Sequence, residues 1–161
     1  MVVLIECLVF CILFTFMVYL MSKNPIKTIY NYPPKIQEKV KSLKEYKNML
    51  PTQNNKIVAK LSVSIIIILL VSLVFHYING YTEFLEAFTN SLIIWTTINI
   101  YDVIILDICW FCRSEKFIFP GTEDLKNEYR NYWFHIKEGL FGELIGAIIC
   151  LIIGLIVGFV L

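Results

Sequence analysis

Four apolar stretches, residues 2–21, 57–78, 84–111 and 140–161, dominate this chain. Each is long enough to cross a bilayer, which takes about 20 residues as a helix. Within the second, "SIIIILLVSLVF" is apolar on every face and shows no strand alternation. A backbone in lipid must satisfy its own hydrogen bonds, so these stretches are expected to be helices. The expected fold is an all-α integral membrane protein: a four-transmembrane-helix bundle forming a single polytopic domain over residues 1–161. Composition agrees. The chain is 58% hydrophobic and 17% charged, against roughly 45–50% and about 25% in soluble domains. A net charge of +1 carries no electrostatic footprint for nucleic acid.

The first stretch does not read as a cleaved signal. Only the initiator methionine precedes the apolar run, Glu6 interrupts it, and "SKNPIK" follows in place of a small-residue cleavage site. It is expected to remain as a span.

Charge sets the expected orientation. Thirteen of the 14 basic residues fall in two loops, 22–56 and 112–139; Lys60 is the other, and the short loop "NGYTE" has none. Basic residues stay on the cytoplasmic side during insertion. The expectation is a multi-pass protein of the cell membrane with both termini outside and both long loops cytoplasmic.

The first loop holds eight lysines against Glu38 and Glu45. "IYNYPP" reads as extended, because Pro33 and Pro34 resist helix. "KIQEKVKSLKEYKNML" reads as a short basic amphipathic helix with Ile36, Val40, Leu43, Tyr46 and Leu50 on a partial apolar stripe. Such a helix suits anionic lipids near residues 22–56, although the lysines also serve topology alone. In the second loop, Pro120-Gly121 marks a turn and Thr122 is a candidate N-cap. A cytoplasmic interfacial helix is expected from there to about His135, with Leu125, Tyr129, Tyr132, Trp133 and Ile136 on one side. It is expected to turn near Gly139 into the fourth span.

The third stretch raises the functional question, because it carries carboxylates. At 100° per residue, Thr96, Asn99 and Asp102 fall within about 120° of one another, with Trp95 in the same sector. Asp107 falls about 80° from Asn99 on the other side. An ionisable group at mid-helix costs about 2.5–3.5 kcal/mol on insertion scales, so it pairs, meets water or neutralises. A polar inner cavity is expected, built on Thr96, Asn99, Asp102, Asp107, Arg113, Lys116, His135 and Glu143. An outer polar pair is expected between Glu6 and His76. The same groups also read as internal ties that fix helix register.

In the fourth stretch Gly142, Gly146, Cys150, Gly154 and Gly158 recur every four residues. Small residues at this spacing let two backbones approach closely. The partner is either another span or a second copy of the chain, which would make a homo-oligomer. Cys109 and Cys112 form a C-x-x-C. At the cytoplasmic end of the third span it sits in a reducing compartment, which disfavours a stable bridge. His135 and two cysteines fall short of a zinc site. No phosphate loop, dinucleotide fingerprint or serine elbow is present, so no cofactor or metal is expected.

Three function classes stay open. The leading one is an oligomeric transporter or channel-like protein for a small solute or ion, its cavity built on Asn99, Asp102 and Asp107. The second is a membrane-embedded enzyme acting on a lipid or prenyl substrate at the cytoplasmic interface, between Asp107, Arg113, Lys116 and His135. The third is a non-catalytic partner subunit of a membrane complex.

Overall fold

The computed structural model describes residues 2–51 and 53–161, without the side chains of residues 53–61 and 63. The side chains of Lys56 and Lys60, and those that open the second apolar stretch, therefore lie outside the described residues. The described chain is all-helical, 79% helix with no strand. The helices are α1 (Val2–Ser22), α2 (Pro34–Ser42), α3 (Gln53–Tyr77), α4 (Phe84–Tyr101), α5 (Lys126–Tyr129) and α6 (Tyr132–Phe159), with a π-helical segment at Asp102–Phe111. Three helices are long and apolar enough to cross a membrane: Val2–Ser22, Phe84–Phe111 and Tyr132–Phe159. The described apolar part of α3, Ser64–Tyr77, is shorter than a span. These helices are compatible with a membrane protein.

The chain divides into two units. The first gathers residues 1–10, 52–99 and 140–161. Its core packs Cys7, Phe75, Tyr81, Ala87, Ile94, Ile153 and Val157. After α3 the chain reverses at Gly80, whose φ of 74° suits a residue without Cβ. Tyr81 then folds its ring edge-on to Phe75, with centroids 5.2 Å apart.

The small-residue ridge of α6 meets α4 of the same chain. A Cβ on Gly158 or Gly154 would press on Phe84, and one on Gly154 also on Phe88. Cys150 meets Ser91, the Trp95 indole fills the space beside Gly146, and Gly142 faces Asn99. Rising numbers on one helix match falling numbers on the other, so the two are antiparallel through this contact. The large residues of α4 fill what the glycines of α6 leave open. Within the chain, the ridge therefore packs on a helix of its own chain.

The second unit gathers residues 11–51 and 100–139. Both long loops fold together here. Ile29, Ile36 and Val40 are fully buried against Phe117, Phe119 and Tyr129. Tyr32 sits among three rings, with Phe111, Phe119 and Tyr129 centroids at 5.0, 5.2 and 6.0 Å. Lys35–Glu128 and Lys39–Asp124 pairs tie the loops across the exposed rim.

Several expected elements change in this setting. The apolar stripe of α2 is spent on this core and is not free for lipid. The helix stops at Ser42, where Leu43 turns extended (ψ 126°), so the expected run to residue 50 is shorter. "IYNYPP" is extended only at Tyr32 and Pro33: a 3₁₀ helix occupies Pro25–Asn31, and Pro34, expected to resist helix, is instead the first residue of α2, where its missing N–H costs nothing. Thr122 does not cap a helix. Its hydroxyl donates to the Phe119 carbonyl at 2.7 Å and pairs with the Tyr129 hydroxyl at 2.8 Å. The expected helix from residue 123 to His135 is broken. A 3₁₀ turn at Glu123–Leu125 and the single turn of α5 precede a break at Arg130–Asn131. The Asn131 side chain then accepts the Phe134 N–H at 3.1 Å and starts α6. The helix runs on through Gly139 without the expected turn.

Candidate functional site

The site lies in the second unit, where the π-helical segment faces the first turn of α6. A π-helix closes i→i+5 hydrogen bonds, and Cys112 N–H donates to the Asp107 carbonyl at 2.8 Å. In an α-helix, residues five apart stand about 140° from each other. The wider π turn brings them toward one side. Asp102, Asp107 and Cys112 are spaced by five, so this segment turns two carboxylates and a thiol toward one side. The sequence expectation of Asp107 rotated away from Asp102 assumed α-helical turns, and the π geometry corrects it.

His135 enters from α6. Its Nδ1 lies 3.1 Å from Asp107 Oδ2. The rings of Phe111 and Phe134 stand edge-on to the imidazole, with centroids at 5.2 and 5.3 Å, and hold its plane. The side chain is 5% exposed. The Cys112 thiol, itself buried, sits beside the same ring at interacting range. Nevertheless His135 Nε2 is buried without a completed hydrogen bond. Asp102 is half-buried and near enough to feel the charges of Asp107 and His135. It makes no hydrogen bond or ion pair among the described residues.

Two concavities adjoin the π-helical segment. A cleft of about 10 Å³ is lined by Cys112, Arg113, Glu115, Lys126, Tyr129 and Arg130, room for about one water. Burial pushes the Tyr129 phenol up, against the lowering effect of its hydrogen bonds to Thr122 and the Phe119 amide. A larger, apolar groove of about 440 Å³ runs between Thr15, Phe16, Tyr19 and Tyr101, Ile105 and Trp110. Across it the Thr15 and Tyr101 hydroxyls pair at 2.8 Å.

The other expected site residues fall elsewhere. Arg113 and Lys116 are exposed and pair with neither aspartate, because the chain turns to solvent after the π-helical segment and His135 takes the place beside Asp107. Glu143 belongs to the first unit. It neighbours Gly142 on the ridge, and the antiparallel register sets it against Thr96 and Asn99. Thr96 Oγ1 donates to its Oε1, and Asn99 Nδ2 donates to its Oε2 at 2.7 Å. The expected Glu6–His76 pair is not formed. In the turn opened by Gly80, Asn79 Nδ2 donates to Glu6 Oε1 at 2.7 Å, an amide serving where a second ion would cost further desolvation. Glu6 Oε2 and His76 Nδ1 are both buried without partners.

Among the described residues no three metal-ligating side chains converge, and all five cysteines are free thiols. Cys112 is the functional candidate that sequence reasoning passed over. Its C-x-x-C with Cys109 drew attention to disulfide chemistry, while the informative spacing was five back to Asp107.

No family model, curated protein or solved structure matches this chain.

Proposed function

We propose that the chain crosses the membrane four times, with α3 as the remaining span, both termini outside and the two folded loops in the cytoplasm. We propose further that it works as a membrane-embedded enzyme on a lipid or prenyl substrate at the cytoplasmic interface. The distribution of basic residues supports the topology. Exposed Tyr132 and Trp133, at the start of α6, mark interface depth, and His135 lies within one turn of them. The exposed lysines of residues 23–47 are then placed to meet anionic headgroups.

One observation carries the enzymatic reading: His135 is held at Nδ1 by a carboxylate while its buried Nε2 is left open. A carboxylate fixes the tautomer and orientation of an imidazole, and the opposite nitrogen is then the one that moves a proton. An unpaired buried polar atom costs about 1–3 kcal/mol. A histidine serving only as a tie would be stabilised by closing that bond. Asp107 and His135 are thus assigned as orienting carboxylate and general base.

The test uses the full chain in vesicles of phosphatidylethanolamine and phosphatidylglycerol, supplied with long-chain acyl thioesters and polyprenyl phosphate. Lipid mass spectrometry follows before and after incubation. The reading expects a species whose conversion falls by roughly 10²-fold in His135→Gln. No conversion, or equal conversion by the variant, refutes it.

A second reading, transport, is favoured by Asp102, a half-buried carboxylate without a hydrogen bond. In an oligomer it and Asp107 would line a conduit. Solute or proton flux into vesicles that is lost in Asp102→Asn and retained in His135→Gln selects this reading over the enzymatic one.

A further inference from the structure

We propose that the apolar groove between α1 and the π-helical segment holds one acyl chain of an anionic phospholipid, with its headgroup on Lys23. The proposal rests on the membrane placement above and not on the chemistry assigned to His135. The π turn builds one wall of the groove. Tyr101 and Leu106 are five apart, as are Ile105 and Trp110, and all four line it. An i→i+5 turn brings each pair toward one side, so this wall is made by the same geometry that gathers the carboxylates. The other wall is α1, where Thr15, Phe16 and Tyr19 lie within one turn on one face.

One end of the groove selects hydrocarbon. Thr15 Oγ1 donates to the Cys11 carbonyl at 2.8 Å, so in its 2.8 Å pair with Tyr101 the tyrosine is the donor. Both hydroxyl protons are spent, and this end offers no donor to a polar solute. The volume of about 440 Å³ falls within the roughly 300–1,000 Å³ of small-molecule sites. Phe16 and Tyr19 stay 60% and 50% exposed, so the groove is open along α1 and takes its occupant from the surrounding bilayer.

The other end is cationic. Lys23 Nζ stands over the Tyr19 ring, 5.1 Å from its centroid. It forms no ion pair among the described residues, and no acidic residue occurs between Glu6 and Glu38. About 10 Å of helix axis separates Thr15 from the end of α1 at Ser22, so a chain lying on Thr15 and Phe16 emerges beside the ammonium group. Under the proposed topology that end is cytoplasmic, at headgroup depth. The phosphate of an anionic lipid pairs with the lysine there, whereas zwitterionic phosphatidylcholine brings a cation of its own that repels it.

The test is photo-crosslinking of the full chain in phosphatidylcholine nanodiscs that carry a trace of phosphatidylglycerol or of phosphatidylcholine with a diazirine on one acyl chain. Adducts are mapped by peptide mass spectrometry. Peptides holding Phe16, Tyr19 and Ile105 should take about fivefold more phosphatidylglycerol than phosphatidylcholine, the worth of one lysine at a charged interface. Exposed Leu144 and Ile148 of α6 should take both lipids alike and serve as the internal reference. Lys23→Glu, a change at an exposed residue, should abolish the preference and leave the reference unchanged. Ile105→Trp should fill the groove and lower its adducts with both lipids; where that variant loses its fold by thermal melting, Lys23→Glu carries the test. Equal labelling of the groove by both lipids, labelling no denser there than on α6, or a preference that survives Lys23→Glu overturns the proposal. Carbonate extraction of the chain from vesicles separates two failures. A released chain removes the membrane placement and the groove's occupant together, and a retained chain without the preference removes the groove site alone.

Discussion

Adding one methyl group at a time to the ridge of α6 measures how closely α4 and α6 approach. Replacing glycine by alanine inside a helix gains about 0.8–1 kcal/mol in propensity. Against this stands the space each Cβ meets. At Gly142 the nearest atom is Asn99 Oδ1 at 3.7 Å, an ordinary contact. Gly142→Ala should therefore stabilise by about 0.5–1 kcal/mol. At Gly154 the Phe88 Cβ lies at 2.9 Å and the Phe84 ring at 3.1 Å. That crowding costs about 1–3 kcal/mol, so the net change is small or destabilising. At Gly158 the obstacle is the Phe84 backbone, its N at 2.6 Å and Cα at 2.8 Å, which no rotamer can clear. At Gly146 the new Cβ falls on the Trp95 indole. Both should lose about 2 kcal/mol net, within the cost of overpacking. Gly146→Ala should recover most of its loss when Trp95→Leu is added, and Gly158→Ala should gain nothing from that change. Thermal unfolding in detergent, followed by circular dichroism, gives the ranking Gly142 above Gly154 above Gly146 and Gly158. Four alanine variants of equal stability, or a Gly146 loss indifferent to Trp95, would refute the antiparallel contact.

Three further outcomes are expected. A membrane-impermeant thiol reagent applied to intact cells should label Thr82→Cys and leave Lys44→Cys untouched; the reverse pattern overturns the topology. In the loop core, Ile36→Ala should cost about 2–4 kcal/mol, while Lys35→Ala, losing a largely exposed pair, should cost under about 1 kcal/mol; similar losses would mean the loops are held by charge. Burial holds the Tyr32 and Tyr129 phenols above their usual value. The unfolded chain ionises them first, near pH 10, so their stabilising effect is complete below that pH and is lost as pH rises through the folded values. Trp110 fluorescence should report alkaline opening above pH 10, and Tyr32→Phe should reduce it; an unchanged profile in the variant removes Tyr32 as a cause.

The apolar helices were legible because lipid-length runs with helical faces have few alternatives. The ridge was legible too, as a four-residue period. Its partner was not, since Phe84, Phe88, Trp95 and Asn99 do not announce their register until the helices are placed side by side. The two loops hid their relationship for a different reason. Ile36 and Val40 form a stripe that serves a lipid surface or a folded core equally well, and only the aromatic residues of the other loop decide. The alignment of Asp102, Asp107 and Cys112 was hidden most deeply. A helical wheel at 100° per residue scatters positions five apart, and no residue type in "DVIILDICWF" signals a π turn.

The core shared by the two loops imposes an order on how the protein is made. Lys35 and Glu128 stand 93 residues apart in the chain. At synthesis rates of about 5–20 residues per second, the first loop emerges some 5–20 seconds before its partner exists. Through that interval Ile29, Ile36 and Val40 have no Phe117, Phe119 or Tyr129 to cover them, and α2 is the basic amphipathic helix that its sequence describes. Under the proposed topology, the nascent loop would have a bilayer surface beside it on which to rest that stripe, until the ribosome delivers the second loop and draws it off.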